Sequence, residues 1–199
     1  MDAADWNARY ASTDLVWSAE PNRFVRDIVE SWPTGRAIDV ACGEGRNAIW
    51  LAECGWIAEG IDYSDVAIDK ARRLAESRGV SVDFRVVDAT SGALTDAAYD
   101  LVLLCYLQLS ADEIGAAVAA AAPGVAPGGA LLFIAHALDN LVHGVGGPQS
   151  PAVLYTPDQI AALAAGAGLT VERAEHVLRP VETADGTKDA IDLVVIARR

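Results

Sequence analysis

A chain of 199 residues can bury one substantial core, and 52% hydrophobic residues with 17 glycines exclude a disordered chain. A net charge of −13 repels phosphate backbones and argues against a nucleic-acid partner. Cys42, Cys54 and Cys105 form no C-x-x-C pair for zinc or thiol redox work, the amino terminus is acidic, and the apolar tract 114–138 is broken by Pro123, Pro127 and Gly128-Gly129.

That tract is no membrane helix of about 20 residues, so no membrane partner is expected; the scattered cysteines offer no metal site, and a reduced, cytoplasmic compartment is the simplest reading.

After an amphipathic lead-in, strand-length apolar runs alternate with helical patterns. Residues 36–41 form a short apolar run that ends in a Gly-rich turn. Residues 47–54 read as helix, stopped by Gly55. A second strand is expected at 57–61 and a helix at 64–77, with Ser64 and Asp65 at its start and Gly79 past its end. Strands follow at 82–87 and 100–106, the second apolar on both faces as a central parallel strand must be. An alanine-rich helix at 112–122 ends at Pro123-Gly124, and a fifth strand at 130–136 follows the turn Pro127-Gly128-Gly129. Pro157 opens a helix over 157–167. Two last β-like runs, 170–178 and 191–197, are joined by a polar stretch holding Asp185-Gly186. Alternating strands and helices predict an α/β, doubly wound, mostly parallel sheet in a single domain. With no helix between them, the last two strands should pair antiparallel.

Chemistry concentrates in the first strand–turn–helix. Asp39-Val40-Ala41-Cys42-Gly43-Glu44-Gly45 lies where strand passes into helix, and glycines there let a ligand approach bare backbone. Asp62 ends the second strand, where an acid accepts both hydrogen bonds of a ribose diol. Asp88 ends the third. Gly43-x-Gly45-x-x-Ala48 also satisfies the dinucleotide fingerprint, which leaves a nicotinamide-dependent oxidoreductase open. Asp39 tips the balance. A carboxylate beside the helix start disfavours a pyrophosphate, and it favours a ligand that carries ammonium and sulfonium charge.

Asp39-x-x-x-Gly43-x-Gly45, Asp62, Asp88-Ala89 and Pro127-Gly128-Gly129 resemble the class I S-adenosylmethionine-dependent methyltransferases over essentially the whole chain. Gly43-Glu44-Gly45-Arg46-Asn47, with Trp6-x-x-x-Tyr10 and Trp17, is similar to the tellurite-resistance and thiopurine methyltransferase branch. Ala41 stands where many members have Gly. The resemblance implies a seven-stranded sheet of order 3-2-1-4-5-7-6 with strand 7 antiparallel, helices on both faces, and residues 1–35 as an amino-terminal lid. It implies S-adenosyl-L-methionine as cofactor. Ala41, Gly43 and Gly45 would line its methionine moiety with backbone, with Asp39 and the Cys105 carbonyl near its ammonium. Asp62 would hold the ribose, Tyr63 would pack on the adenine, and Asp88 and the Ala89 amide would bond the adenine edge. Trp17, Cys42, Asn47 and Ser64 complete the expected contacts.

Methyl transfer from a sulfonium is an in-line displacement, so a base is required only if the acceptor arrives protonated. The acceptor side should come from the amino-terminal segment and from loops after strands four, five and six. Trp17 and Tyr10 either form a lid or pack. Tyr106 follows a central strand, His136 ends the fifth, His143 and Tyr155 lie in the segment 137–156, and Arg179 could pair with an anionic acceptor. The glycines at 144–147 make either a mobile cover or a surface excursion. Tellurite-resistance proteins carry histidine and arginine functions near this carboxyl-terminal region. Leu178-Arg179-Pro180-Val181, with Lys188 further on, holds no histidine. The expectation is a methyltransferase for a small molecule, monomer or homodimer, with sulfur, selenium or tellurium acceptors slightly ahead of oxygen or nitrogen. A non-catalytic adenosylmethionine-binding module is the other reading.

Overall fold

A computed structural model describes residues 3–199; Met1 and Asp2, the start of the acidic terminus, lie outside the described residues. The strands are β1 (Arg36–Val40), β2 (Ile57–Asp62), β3 (Asp83–Val86), β4 (Tyr99–Cys105), β5 (Val125–His136), β6 (Thr170–Thr183) and β7 (Gly186–Arg198). They form one sheet of order β3-β2-β1-β4-β5-β7-β6. Neighbours from β3 through β5 are parallel, while β7 slots antiparallel between β5 and β6.

The helices are α1 (Ala3–Ala11), α2 (Arg23–Val29), α3 (Arg46–Glu53), α4 (Asp65–Arg78), α5 (Ala111–Ala121), α6 (Asn140–His143) and α7 (Pro157–Gly166). Alternate strand residues feed opposite faces of the sheet. Ile38, Val102, Leu104, Leu131, Phe133 and Val195 pack with Ile114 and Val118 of α5 and Ile160 of α7. Ala37, Leu101, Leu103, Leu132, Ile134 and Val194 pack with Phe24, Val25 and Val29 of α2 and Leu51 of α3. This explains why β4 and β5 read as continuous apolar runs: both pleat directions are buried. Side-chain caps fix the helix starts, Ser64 accepting from the Ala67 amide and Thr156 from the Gln159 amide. Ser110 and Glu113 cap α5 reciprocally.

Three boundaries differ from expectation. β5 starts at Val125, so Pro127-Gly128-Gly129 lies inside the strand span, with a register shift against β4. β6 and β7 run on to a tight turn, pairing as far as Thr183 with Gly186. The polar stretch once read as a connection is therefore itself a two-stranded arm. Past Asp192 it has no β5 neighbour; Ala190 is still buried, but residues 186–189 are exposed on both faces and carry no apolar pattern.

Candidate active site

The strand order reverses between β1 and β4, and ligands of open parallel sheets bind at the carboxyl ends beside such a reversal. Both strands end there in left-handed backbone at residues other than glycine, Ala41 (φ 59°) and Tyr106 (φ 57°). Each conformation costs about 1 kcal/mol, and together they turn the chain away and open a crevice. The crevice is a cavity of about 290 Å³.

Its donor half is built on the glycine turn. Asp62 is 5% exposed and ties that turn to β2: Oδ2 accepts from the Gly43 amide at 2.9 Å and Oδ1 from the Ser64 amide at 2.9 Å. Burial raises its pKa, and those two amides oppose the rise. Tyr63 lines the cavity beside it, as do Asp88 and Ala89 at the end of β3. Asp88 Oδ1 accepts from both the amide and the hydroxyl of Thr90, at 2.8 Å each. A Cβ at Gly43 would lie 2.8 Å from the Tyr10 hydroxyl, so only glycine leaves the space under that ring. Gly45 serves packing: a Cβ there would lie 2.6 Å from Phe84 Cζ and 2.9 Å from Ala71 Cβ.

Asp39 sits at the end of β1, 1% exposed. Among the described residues neither of its carboxylate oxygens accepts a hydrogen bond. Burial pushes its pKa up to about 7, opposed in part by the Arg46 charge and by the nearby Asn47 side chain and Ala48 amide. An orphaned buried carboxylate is costly, and a cationic ligand group is what relieves it.

The roof comes from the amino-terminal segment. Trp6, Tyr10, Leu15 and Trp17 line the cavity. Glu44, only 3% exposed, accepts the Val16 amide (3.0 Å) and the Trp17 amide (3.1 Å). Lys70 of α4 bonds Glu44 at 3.2 Å and the carbonyls of Tyr10 and Thr13. Neither residue stood out in the sequence, although an acid between two turn glycines was the available signal. Asn47 also holds this segment, its Oδ1 accepting from the Asn22 amide at 2.9 Å.

The acceptor half converges on a residue that sequence reasoning passed over. Asp192 of β7 is 0% exposed. His136 Nδ1 meets its Oδ1 at 2.9 Å, and Oδ2 accepts from the Tyr106 hydroxyl and from Arg179 Nε, each at 2.7 Å. Three residues from β5, the loop after β4, and β6 thus share one carboxylate. Burial alone would raise the Asp192 carboxyl, but the hydrogen bonds from His136, Arg179 and Tyr106 hold it below its ordinary value. Burial and the neighbouring Asp192 charge push the Tyr106 hydroxyl up, so it stays protonated and donates. The Tyr106 and His136 rings lie 4.5 Å apart.

Of the expected contacts, Trp17, Ala41, Cys42, Gly43, Asn47, Asp62, Tyr63, Asp88, Ala89 and Cys105 line the cavity, together with Tyr106, His136 and Arg179. Asp39, Gly45 and Ser64 stand behind the lining; Ser64 caps α4 and donates to Asn7 of α1. Burial pushes the Cys105 thiol up to about 12 and raises Cys42 as well, so neither offers a thiolate. Tyr155 is buried, and its hydroxyl holds the backbone of Leu107 and Leu109. His143 ends α6, outside the lining. The glycines at 144–147 are anchored by Asn140, which donates to the Gly146 carbonyl, and Gly147 packs against the His136 ring. His176, absent from the sequence expectations, lies on β6 at 3.8 Å from Asp139 and outside the lining.

Residues 37–129 match the family model of a methyltransferase domain. A ubiquinone biosynthesis O-methyltransferase from Thiobacillus denitrificans is 30% identical over 151 residues, covering 69% of this chain and 65% of that protein. Across the curated relatives the chain spans between 34% and 65% of the relative's length. Among solved structures, one from work on conversion of a disulfide bond into a thioacetal group during echinomycin biosynthesis superposes with a TM-score of 0.79 and 22% identity, covering 99% of this chain and 92% of that one. TehB from Haemophilus influenzae gives 0.70 and 15%, covering 98% and 65%. The fold is that of the Rossmann-like methyltransferases, and these matches imply S-adenosylmethionine as the cofactor.

Proposed function

We propose that this chain is an S-adenosylmethionine-dependent methyltransferase acting on a small-molecule acceptor. The observation that carries the reading is Asp39, a buried carboxylate behind the turn at the end of β1 that completes no hydrogen bond of ordinary geometry, with only the Arg46 charge, the Asn47 side chain and the Ala48 amide near it. That position suits an ammonium or sulfonium ligand and repels a pyrophosphate. Asp62 keeps lone pairs for a ribose diol, since each oxygen accepts only one amide. Tyr63, Asp88 and Ala89 would hold the adenine, and the backbone of Ala41 to Gly43 the methionine moiety. When bound, the cofactor supplies an activated methyl group. The protein aligns, covers and excludes water, which is what the roof of Trp6, Tyr10 and Trp17 is suited to do.

A cavity of about 290 Å³ favours a small acceptor. The net charge of −13 speaks against a polyanionic one, and a cytoplasmic monomer or homodimer fits this reading. The likeness to the tellurite-resistance branch rests on Gly43 to Asn47, the amino-terminal aromatics and a shared fold. Calorimetric titration with S-adenosylhomocysteine and with NAD tests the donor assignment. Binding of the first alone is expected, and NAD binding without S-adenosylhomocysteine binding would overturn it.

A further inference from the structure

The acceptor half of the cavity contains a hydrogen-bonded acid whose purpose packing does not explain. Asp192 is an aspartate inside a β7 run that is otherwise fully apolar from Leu193 to Ala197. It is held by three donors from three separate strands or loops, and all three donors line the cavity.

We propose that His136, set in its tautomer by Asp192, is the general base for a neutral hydroxylic acceptor of the phenol class. The inference rests on the methyltransferase reading above and specifies its acceptor. With Nδ1 donating to Asp192, the lone pair of the ring is on Nε2, the atom a general base needs. Gly147 closes one side of the ring, and the Tyr106 ring covers another at 4.5 Å. Charge decides the acceptor class. The Arg179 guanidinium is paired with the Asp192 carboxylate at 2.7 Å, so its charge is met inside the protein and is not left over for a pre-ionised oxyanion. It offers instead a base to a neutral O–H, in a cavity that Tyr106, Leu107 and Leu109 also line.

In the step, the acceptor oxygen forms its bond to the methyl carbon, the carbon–sulfur bond of the sulfonium donor breaks with its electron pair going to sulfur, and Nε2 takes the hydroxyl proton. The sulfonium charge is thereby replaced by an imidazolium charge beside Asp192. Asp192 is a positioning residue, since it acts through His136.

The test uses His136→Gln and Asp192→Asn in the full chain, with S-adenosylmethionine, a set of 4-substituted phenols of graded acidity, and thiophenol. His136→Gln should lower kcat about 100-fold or more for the least acidic phenols, with a loss that shrinks as the phenol becomes more acidic. Thiophenol turnover and S-adenosylhomocysteine affinity should change less than about threefold. Asp192→Asn should show the same graded loss in weaker form. A readout without turnover is the absorbance of 4-nitrophenol bound to the S-adenosylhomocysteine complex below its solution pKa. Wild type should bind it ionised and His136→Gln should bind it neutral. Because His136 is partly exposed, its variant stands even if Asp192→Asn folds poorly.

A loss equal across the whole acceptor series, or nitrophenol bound neutral by wild type, overturns the proposal. So does wild-type turnover of thiophenol with none of any phenol. That last result leaves the methyltransferase reading intact, whereas absent S-adenosylhomocysteine binding removes both.

Discussion

Asp39 and Asp192 are both buried aspartates at the carboxyl edge of the same sheet region, yet their protonation behaviour is opposite. Asp39 completes no hydrogen bond of ordinary geometry, with Asn47 and Ala48 only near it, and its pKa is raised by burial to about 7; Asp192 has three close donors and a lowered pKa. An acid left unpaired by its own chain is a place prepared for a cation from outside. An acid saturated by its own chain instead spends its charge arranging its neighbours. The donor and acceptor halves of the cavity divide along this line.

The largest effect should come from the donor half. Asp62→Ala removes two amide contacts and the expected ribose ligand, and the affinity for S-adenosylhomocysteine should fall about 100-fold or more by calorimetry. A change below about tenfold would break the donor side of the comparison.

Asp192→Ala comes next, because it leaves Arg179 partly buried without its partner. Urea unfolding at neutral pH should show a loss of about 3 kcal/mol. The Asp192 carboxyl is lowered in the folded state, so its contribution is present above the unfolded value and is lost as pH falls through the folded one. Wild type and variant should therefore converge in acid. A gap that stays constant with pH would point to lost packing instead of lost charge.

Asp39→Asn should have the opposite sign. A carboxyl raised to about 7 makes the native state bind more protons than the unfolded one between about pH 4 and 7, so wild type loses stability as pH rises through that window. The variant should gain about 2 kcal/mol at pH 8 and nothing near pH 4, while binding S-adenosylhomocysteine more weakly. Greater stability together with weaker binding is the result that would sharpen the contrast most.

The smallest effect belongs to the roof. Lys70→Met leaves Glu44 on the Val16 and Trp17 amides but frees the Tyr10 and Thr13 carbonyls. Hydrogen exchange at Val16 and Trp17 should quicken about fivefold, with global stability changed by less than about 1 kcal/mol.

The two halves also differed in how far the sequence disclosed them. Asp39, Gly43 and Gly45 lie within one turn, and Asp62 bonds Gly43 across only 19 residues. Local spacing therefore carried that half, as it carried the alternation of strands and helices, while the strand order came from the family resemblance. Tyr106 and His136 meet Asp192 across 86 and 56 residues, and no local pattern expresses such a contact. The signal that existed was Asp192 itself, an acid heading the apolar run Leu193-Val194-Val195-Ile196. In a central strand such an acid must find partners. Glu44 carried a similar signal and was hidden by its place between glycines. The arm of β6 and β7 escaped because its tip, where residues 186–189 are all exposed, has no apolar period to detect.

The antiparallel place of β7 also bears on the order in which the molecule is made. Every donor-side acid has been synthesised by Asp88, two residues past the end of β3. His136 follows later and has no carboxylate to fix its ring until Asp192, 56 residues further on, takes its place in β7 between β5 and β6. A nascent chain thus holds all the donor-half acids before it holds the carboxylate that orients His136, which comes with the last strand of the sheet.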